Sequence, residues 1–151
     1  MNLIIDLFTN VPLVAGGAAF LFSQVFKVFF YLIKDKELNF WHFFESAGMP
    51  STHSAMTSAL TISIGITQGF FSPFFALSLV FTIVVMYDAM GVRFAAGQQA
   101  LILNKIIEDI YSEKVNEKEK LKELIGHTPF EVFVGGLLGL LIGMLYTFIM
   151  G

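Results

Sequence analysis

Four stretches of the chain are long and apolar, and polar segments separate them: residues 11–33, 53–71, 74–90 and 130–150, approximately. Each is near the length with which an α-helix crosses a bilayer core, ~20 residues. The first holds Gln24 and Lys27 as its only strongly polar members and stops at Lys34-Asp35-Lys36-Glu37. The second is rich in small and hydroxyl residues, among them Ser54, Ala55, Thr57, Ser58, Ala59, Thr61, Ser63 and Gly65. Such residues let helices approach closely in lipid, so this stretch reads as an interior helix. Ser72-Pro73 turns the chain into the third stretch, which is almost purely apolar until Tyr87-Asp88. The fourth carries Gly135, Gly139 and Gly143 at a four-residue repeat along one face, a pattern for tight helix packing.

The polar segments are 34–52 and 91–129. Phe40, Trp41, Phe43 and Phe44 suit the membrane–water boundary, so the first is expected to lie along the interface. The second continues as helix over 95–107 and then becomes the strongly charged EDIYSEKVNEKEKLKEL, which reads as a solvated helical face. The pattern predicts an all-α integral membrane bundle, a single domain over 1–151. It has about four transmembrane helices plus interfacial or cytoplasmic helices.

Composition sharpens this. Of 151 residues, 56% are hydrophobic and 14% charged, against roughly 25% charged for soluble domains. Mean hydropathy is +0.74. There are no cysteines, which excludes disulfides, thiolate metal sites and cysteine nucleophiles. A net charge of −3 gives no reason to expect nucleic acid. The N-terminal MNLIIDLFTN lacks the basic start of a secretory signal. All nine Lys and Arg lie between Lys27 and Lys122. With four spans, both polar segments fall on one face and the opposite face carries no basic residue. The positive-inside rule then places 34–52 and 91–129 in the cytoplasm, in a bacterial cytoplasmic membrane.

Two short stretches at that face carry candidate chemistry. Gly48-Met49-Pro50-Ser51-Thr52-His53 precedes a helix that Ser51 or Thr52 can cap. A helix start of this kind suits an anion, phosphate in particular. A capped helix with an interfacial His53 is the plainer reading. In Gly126-His127-Thr128-Pro129-Phe130-Glu131, Thr128 and Glu131 form a capping-box pattern with Pro129 at the first helical position. Glu131 can cap the helix, hold the His127 imidazole in one tautomer, or do both. Lys27 lies six residues inside the first span, ~9 Å by helical rise. A Lys at a bilayer centre costs ~2.5–3.5 kcal/mol on insertion scales. It either snorkels to the interface or faces a buried anion. Arg93, the only Arg, has Asp88 near it as an ion-pair partner. Together, His127 could attack phosphorus, His53 protonate the leaving oxygen, and Lys27, Lys34 and Arg93 neutralise the equatorial oxygens.

These residues resemble the type 2 phosphatidic acid phosphatase and vanadium haloperoxidase superfamily, and specifically its small divergent bacterial and plant branch. Pro50-Ser51-Thr52-His53 is similar to the P-S-G-H motif, with Thr for Gly. His127 and Glu131 are similar to the end of the S-R-x5-H-x3-D motif, with Glu for Asp and Leu121 where Arg is expected. Lys27 and Lys34 have the spacing of the K-x6-R-P motif, with Lys for Arg and Asp35 for Pro. The branch is indicated by Gly48 to Ala55, by Tyr87-Asp88-Ala89-Met90-Gly91-Val92-Arg93 and by Gly126 to Pro129. The superfamily core has six spans, where four are read here.

The resemblance implies His127 as the nucleophile that forms a phosphohistidine, His53 as general acid and Glu131 as the group that orients His127. It implies phosphate binding by Lys27, Lys34 and Ser51, to which the residues add Thr52 and Arg93. The expected activity is metal-independent hydrolysis of a lipid phosphate monoester or pyrophosphate, with no cofactor. The alternative is a non-catalytic membrane protein that binds or moves a phosphorylated lipid. A metal site built from His53, His127, Asp88 and Glu131 is disfavoured, because the basic groups would repel a cation. The expected partners are the membrane and a phosphorylated membrane lipid, with self-association into a homo-oligomer left open.

Overall fold

The computed structural model describes residues 3–36, 48–110, 121 and 126–151. The expected interfacial aromatics Phe40, Trp41, Phe43 and Phe44 and most of the charged run lie outside the described residues. The elements are α1 (Leu3–Thr9), α2 (Val11–Asp35), α3 (Thr52–Gln68), α4 (Pro73–Met90), α5 (Val92–Ile110) and α6 (Pro129–Met150). The described residues contain no strand, and the chain is an all-α membrane bundle.

The helices α2, α3, α4 and α6 start where the sequence supplies a partner for the unpaired amides of the first turn. Asn10 Oδ1 accepts from Leu13 N at 3.1 Å, and Pro12 occupies the first turn of α2. Ser51 Oγ accepts from Ser54 N at 3.4 Å at the start of α3. Ser72 Oγ accepts from Phe75 N at 3.2 Å, with Pro73 opening α4. At the other end of α2, Lys36 adopts φ 58° and its N–H donates to Leu32 O at 3.0 Å. Gly48, just before α3, has φ 98°, where L side chains are strained, and it lies against the Tyr31 hydroxyl.

α3 is the centre of the bundle. It packs on α2, α4 and α6, most extensively on α6. The glycine repeat makes that contact possible. A Cβ at Gly139 would collide with the Ala55 carbonyl oxygen, and one at Gly135 with the Ser51 carbonyl oxygen. Hydroxyls join the helices inside. Thr61 Oγ1 and Thr82 Oγ1 are 2.8 Å apart, and Thr82 Oγ1 donates to Thr57 O at 3.1 Å. Thr147 Oγ1 donates to Ser63 Oγ at 2.7 Å. Outward, Leu77, Val80, Phe81 and Val84 on α4 and Phe133, Leu137, Leu141 and Leu145 on α6 are exposed. Large apolar side chains on the outside and small polar ones within are the arrangement that lipid, as solvent, selects.

Three helical stretches are long and apolar enough to cross a membrane: Val11–Ile33, Pro73–Ile107 and Pro129–Met150. α3, with 17 residues, is ~26 Å long. Its mean apolarity is lowered by the hydroxyls it buries, so its neighbours shield it rather than lipid. The sequence reading ended the third apolar stretch at Met90. Apolar character in fact continues to Ile107, because Leu101, Ile102, Leu103 and Ile106 follow a break at Gly91. At 35 residues the joined stretch measures ~52 Å, more than one ~30 Å crossing uses.

Candidate functional site

The starts of α3 and α6 lie side by side, and backbone holds them there. Ser51 N donates to Glu131 O at 3.2 Å, tying the cap of one helix to the first turn of the other. Gly135 permits this approach, since its α-carbon faces the Ser51 carbonyl. The connection entering α6 crosses the end of α4. There, His127 N donates to Ala89 O at 3.1 Å, filling one of the carbonyls a helix leaves unpaired at its C-terminus. Residues distant in sequence thus meet: His53, Val84, Val85, Asp88, Ala89, Arg93 and His127 line one cavity of about 230 Å³.

His127 is buried at 2% exposure. Its Nδ1 lies 3.2 Å from Glu131 Oε2. The carboxylate only accepts, so Nδ1 carries the proton and Nε2 keeps its lone pair. The same Oε2 accepts from Thr128 N at 3.0 Å, while Thr128 Oγ1 accepts from Glu131 N at 3.3 Å. The capping box and the imidazole contact therefore coexist on one carboxylate. Burial holds His127 below the usual imidazole pKa, and the nearby Lys27 and His53 charges act in the same direction. The hydrogen bond and charge of Glu131 oppose that shift. A His127 so placed is neutral at pH 7.

Lys27 does not snorkel. It is fully buried, and its Nζ donates to Thr52 Oγ1 at 3.3 Å, below the start of α3. Ser51 is also fully buried, and its Oγ accepts from Ser54 Oγ at 2.9 Å as well as from the cap amide. Thr52 is buried beside it. His53, by contrast, is exposed at the cavity. Arg93 Nε donates to Asp88 Oδ2 at 2.9 Å, with both side chains about half exposed. The ion pair expected for Arg93 is present, and the same pair lines the cavity beside both histidines. Lys34 lies in the last turn of α2, two turns beyond Lys27 on the same face, and its side chain is outside the described residues. Among the described residues, no three His, Asp or Glu side chains are grouped so as to hold a metal ion.

Sequence reasoning gave Asp88 a place as the partner of Arg93 and in a disfavoured metal site, and it missed the Ala89 carbonyl altogether. Both come into the site because the His127 connection docks on the α4 terminus. No local motif announces such a contact.

An all-helical membrane protein with a histidine- and arginine-lined cavity at one end of its bundle is the class that this architecture defines. The chain belongs to the family described as the Divergent PAP2 family, which matches residues 8–142. A curated relative, the uncharacterized membrane protein YuiD of Bacillus subtilis (strain 168), is 39% identical over 155 residues, covering 95% of this chain and 98% of that protein. No solved structure matches the chain.

Proposed function

We propose that the protein is a metal-independent phosphatase of a lipid phosphate. The observation that carries this reading is His127, buried, fixed through Nδ1 by Glu131, and sharing one cavity with His53 and Arg93. Family membership supports it.

The chemistry follows from the arrangement. Nε2 of neutral His127 attacks phosphorus and a P–N bond forms. The ester P–O bond breaks, its electron pair goes to the leaving oxygen, and protonated His53 supplies the proton. Glu131 balances the charge that appears on the His127 ring. Water then attacks the phosphohistidine, its proton passes to His53, and the P–N bond breaks to release phosphate. Arg93 offers a guanidinium to the equatorial oxygens, while Lys27, Ser51 and Thr52 add positive charge and donors at the α3 start; the resemblance adds Lys34 to this set.

Val84 is 59% exposed on the outer face of α4 and also lines the cavity, so a membrane lipid can reach the site sideways. All four helices α2, α3, α4 and α6 cross the membrane in this reading. The distribution of basic residues supports a cavity at the cytoplasmic face of a bacterial cytoplasmic membrane. A single Cys at Ser112 would test sidedness, and its labelling in intact cells by a membrane-impermeant thiol reagent would reverse the assignment.

The deciding experiment measures phosphate release from a panel of lipid phosphates by purified protein in detergent. Release that vanadate inhibits and EDTA leaves intact is expected. Release that EDTA abolishes and Mg²⁺ restores would overturn the phosphohistidine route. Tight lipid phosphate binding without release would favour a binding or transporting protein instead.

A further inference from the structure

Asn104, near the end of α5, holds a described residue of the connection that carries His127. It is buried at 5% exposure. Its Nδ2 donates to Leu121 O at 2.9 Å, and its Oδ1 accepts from Leu121 N at 2.9 Å. One amide thus holds both backbone groups of a single residue 17 positions away, which fixes that residue in position and in orientation. Asn can do this because its side chain presents a donor and an acceptor in one plane.

Two more attachments follow along the chain. Gly126 presses on the backbone of Arg93 and Phe94, with no room for a Cβ. His127 N then donates to Ala89 O at 3.1 Å. Leu121, Gly126 and His127 are thus pinned in order to α5, to the α4–α5 break and to the α4 terminus. α5 buries Gly97, Ala100 and Asn104 along one stripe, at helical spacing. Among the described residues, its only helix partner is α4. Among the described residues, Asn104 links the far half of α5 to the His127 connection.

We propose that Asn104 is a positioning residue for His127, acting through Leu121 to keep the imidazole buried in the cavity and aligned on Glu131. This goes beyond the catalytic reading, which gives α5 no role past Arg93, and its consequence can be read on His127 itself whether or not turnover is detected.

The test is histidine modification by diethyl pyrocarbonate, followed residue by residue by mass spectrometry, on the full chain in detergent. In the parent protein, exposed His53 reacts and buried His127 is protected. In Asn104→Ala, His127 becomes at least fivefold more reactive, while His53 and helix content stay as in the parent. Asn104→Asp keeps the acceptor for Leu121 N but not the donor for Leu121 O, and falls between the two. Where turnover is measured, Asn104→Ala lowers kcat and leaves KM near the parent value, since the substrate's phosphate contacts remain. The proposal is overturned if His127 stays as protected as in the parent in both variants. It is equally overturned if His127 gains reactivity only together with a loss of helix content, which would mark Asn104 as a residue of general stability.

Discussion

His53 and His127 stand at the starts of neighbouring helices that point the same way and line one cavity, yet they differ in exposure and in partner. His53 is in the first turn of α3, after its cap, and is exposed to the cavity. His127 precedes the α6 cap, is 2% exposed, and has Nδ1 committed to Glu131. An exposed imidazole without a carboxylate partner in its own turn exchanges protons readily with water. A buried one held in a single tautomer offers a lone pair along a fixed direction. In the proposed reaction, these environments would set the nucleophile apart from the acid, the way titratable groups of one kind are set apart in other sites. The difference also shows what a capping pattern can hide. Ser51 and Thr128 cap their helices in the same manner. Only at α6 does the capping carboxylate also reach a ring.

The sharpest way to break this comparison is to remove each imidazole in turn. His127→Ala should lower turnover by about 10³–10⁴-fold on every substrate, as expected when a positioned reacting group is lost. His53→Ala should cost about 10²-fold on an alkyl phosphate and much less on p-nitrophenyl phosphate, whose leaving group needs no proton. Equal losses on both substrates for both variants would erase the division of roles.

Glu131→Gln comes next. Gln still serves in a capping box, so thermal stability should change little. Turnover should fall by at least about 10²-fold, because the imidazolium formed on attack loses its carboxylate. A Gln variant with near-parent kcat would leave Glu131 with capping alone. Arg93→Lys keeps the charge but not the planar fork, so KM should rise about tenfold with kcat less affected. A matched rise in Asp88→Asn, which frees the guanidinium from its ion pair, would instead mark the pair as the working unit.

The smallest effect is in pH. Burial keeps His127 below the usual imidazole value, which is about 6.5. The unfolded chain then binds more protons than the folded one as pH falls through that value, so acidification costs stability there. The acid limb of kcat/KM should accordingly lie below pH ~6.5. Glu131→Gln removes the carboxylate charge that raises the His127 pKa, so the limb should move to still lower pH. A limb that moves upward in this variant would show that Glu131 does not govern the ring.

Much of this was legible in the sequence. Helix existence followed from hydropathy, because in lipid the apolar face must be outermost and the run length is set by the bilayer. The Gly135, Gly139 and Gly143 repeat announced a close helix contact, and the hydroxyls of α3 announced its interior position. Thr128, Pro129 and Glu131 fixed the start of α6 to the residue. What local pattern could not give was the partner of each feature. Nothing near Arg93 says that His127 will dock on Ala89, and nothing near Asn104 says that it will hold Leu121. Those contacts close loops of tens of residues, and the residues between them carry no periodic signal.

The central claim is that His127 carries the phosphoryl group. It is tested most directly by reacting purified protein with a ³²P-labelled lipid phosphate, quenching in alkali and sequencing the labelled peptide by mass spectrometry. The account predicts an alkali-stable, acid-labile phosphoryl group on His127, present in the His53→Ala variant, where breakdown is slowed, and absent from His127→Ala. Phosphate release that proceeds at parent rate with no label on His127, or label that persists in His127→Ala, would contradict it.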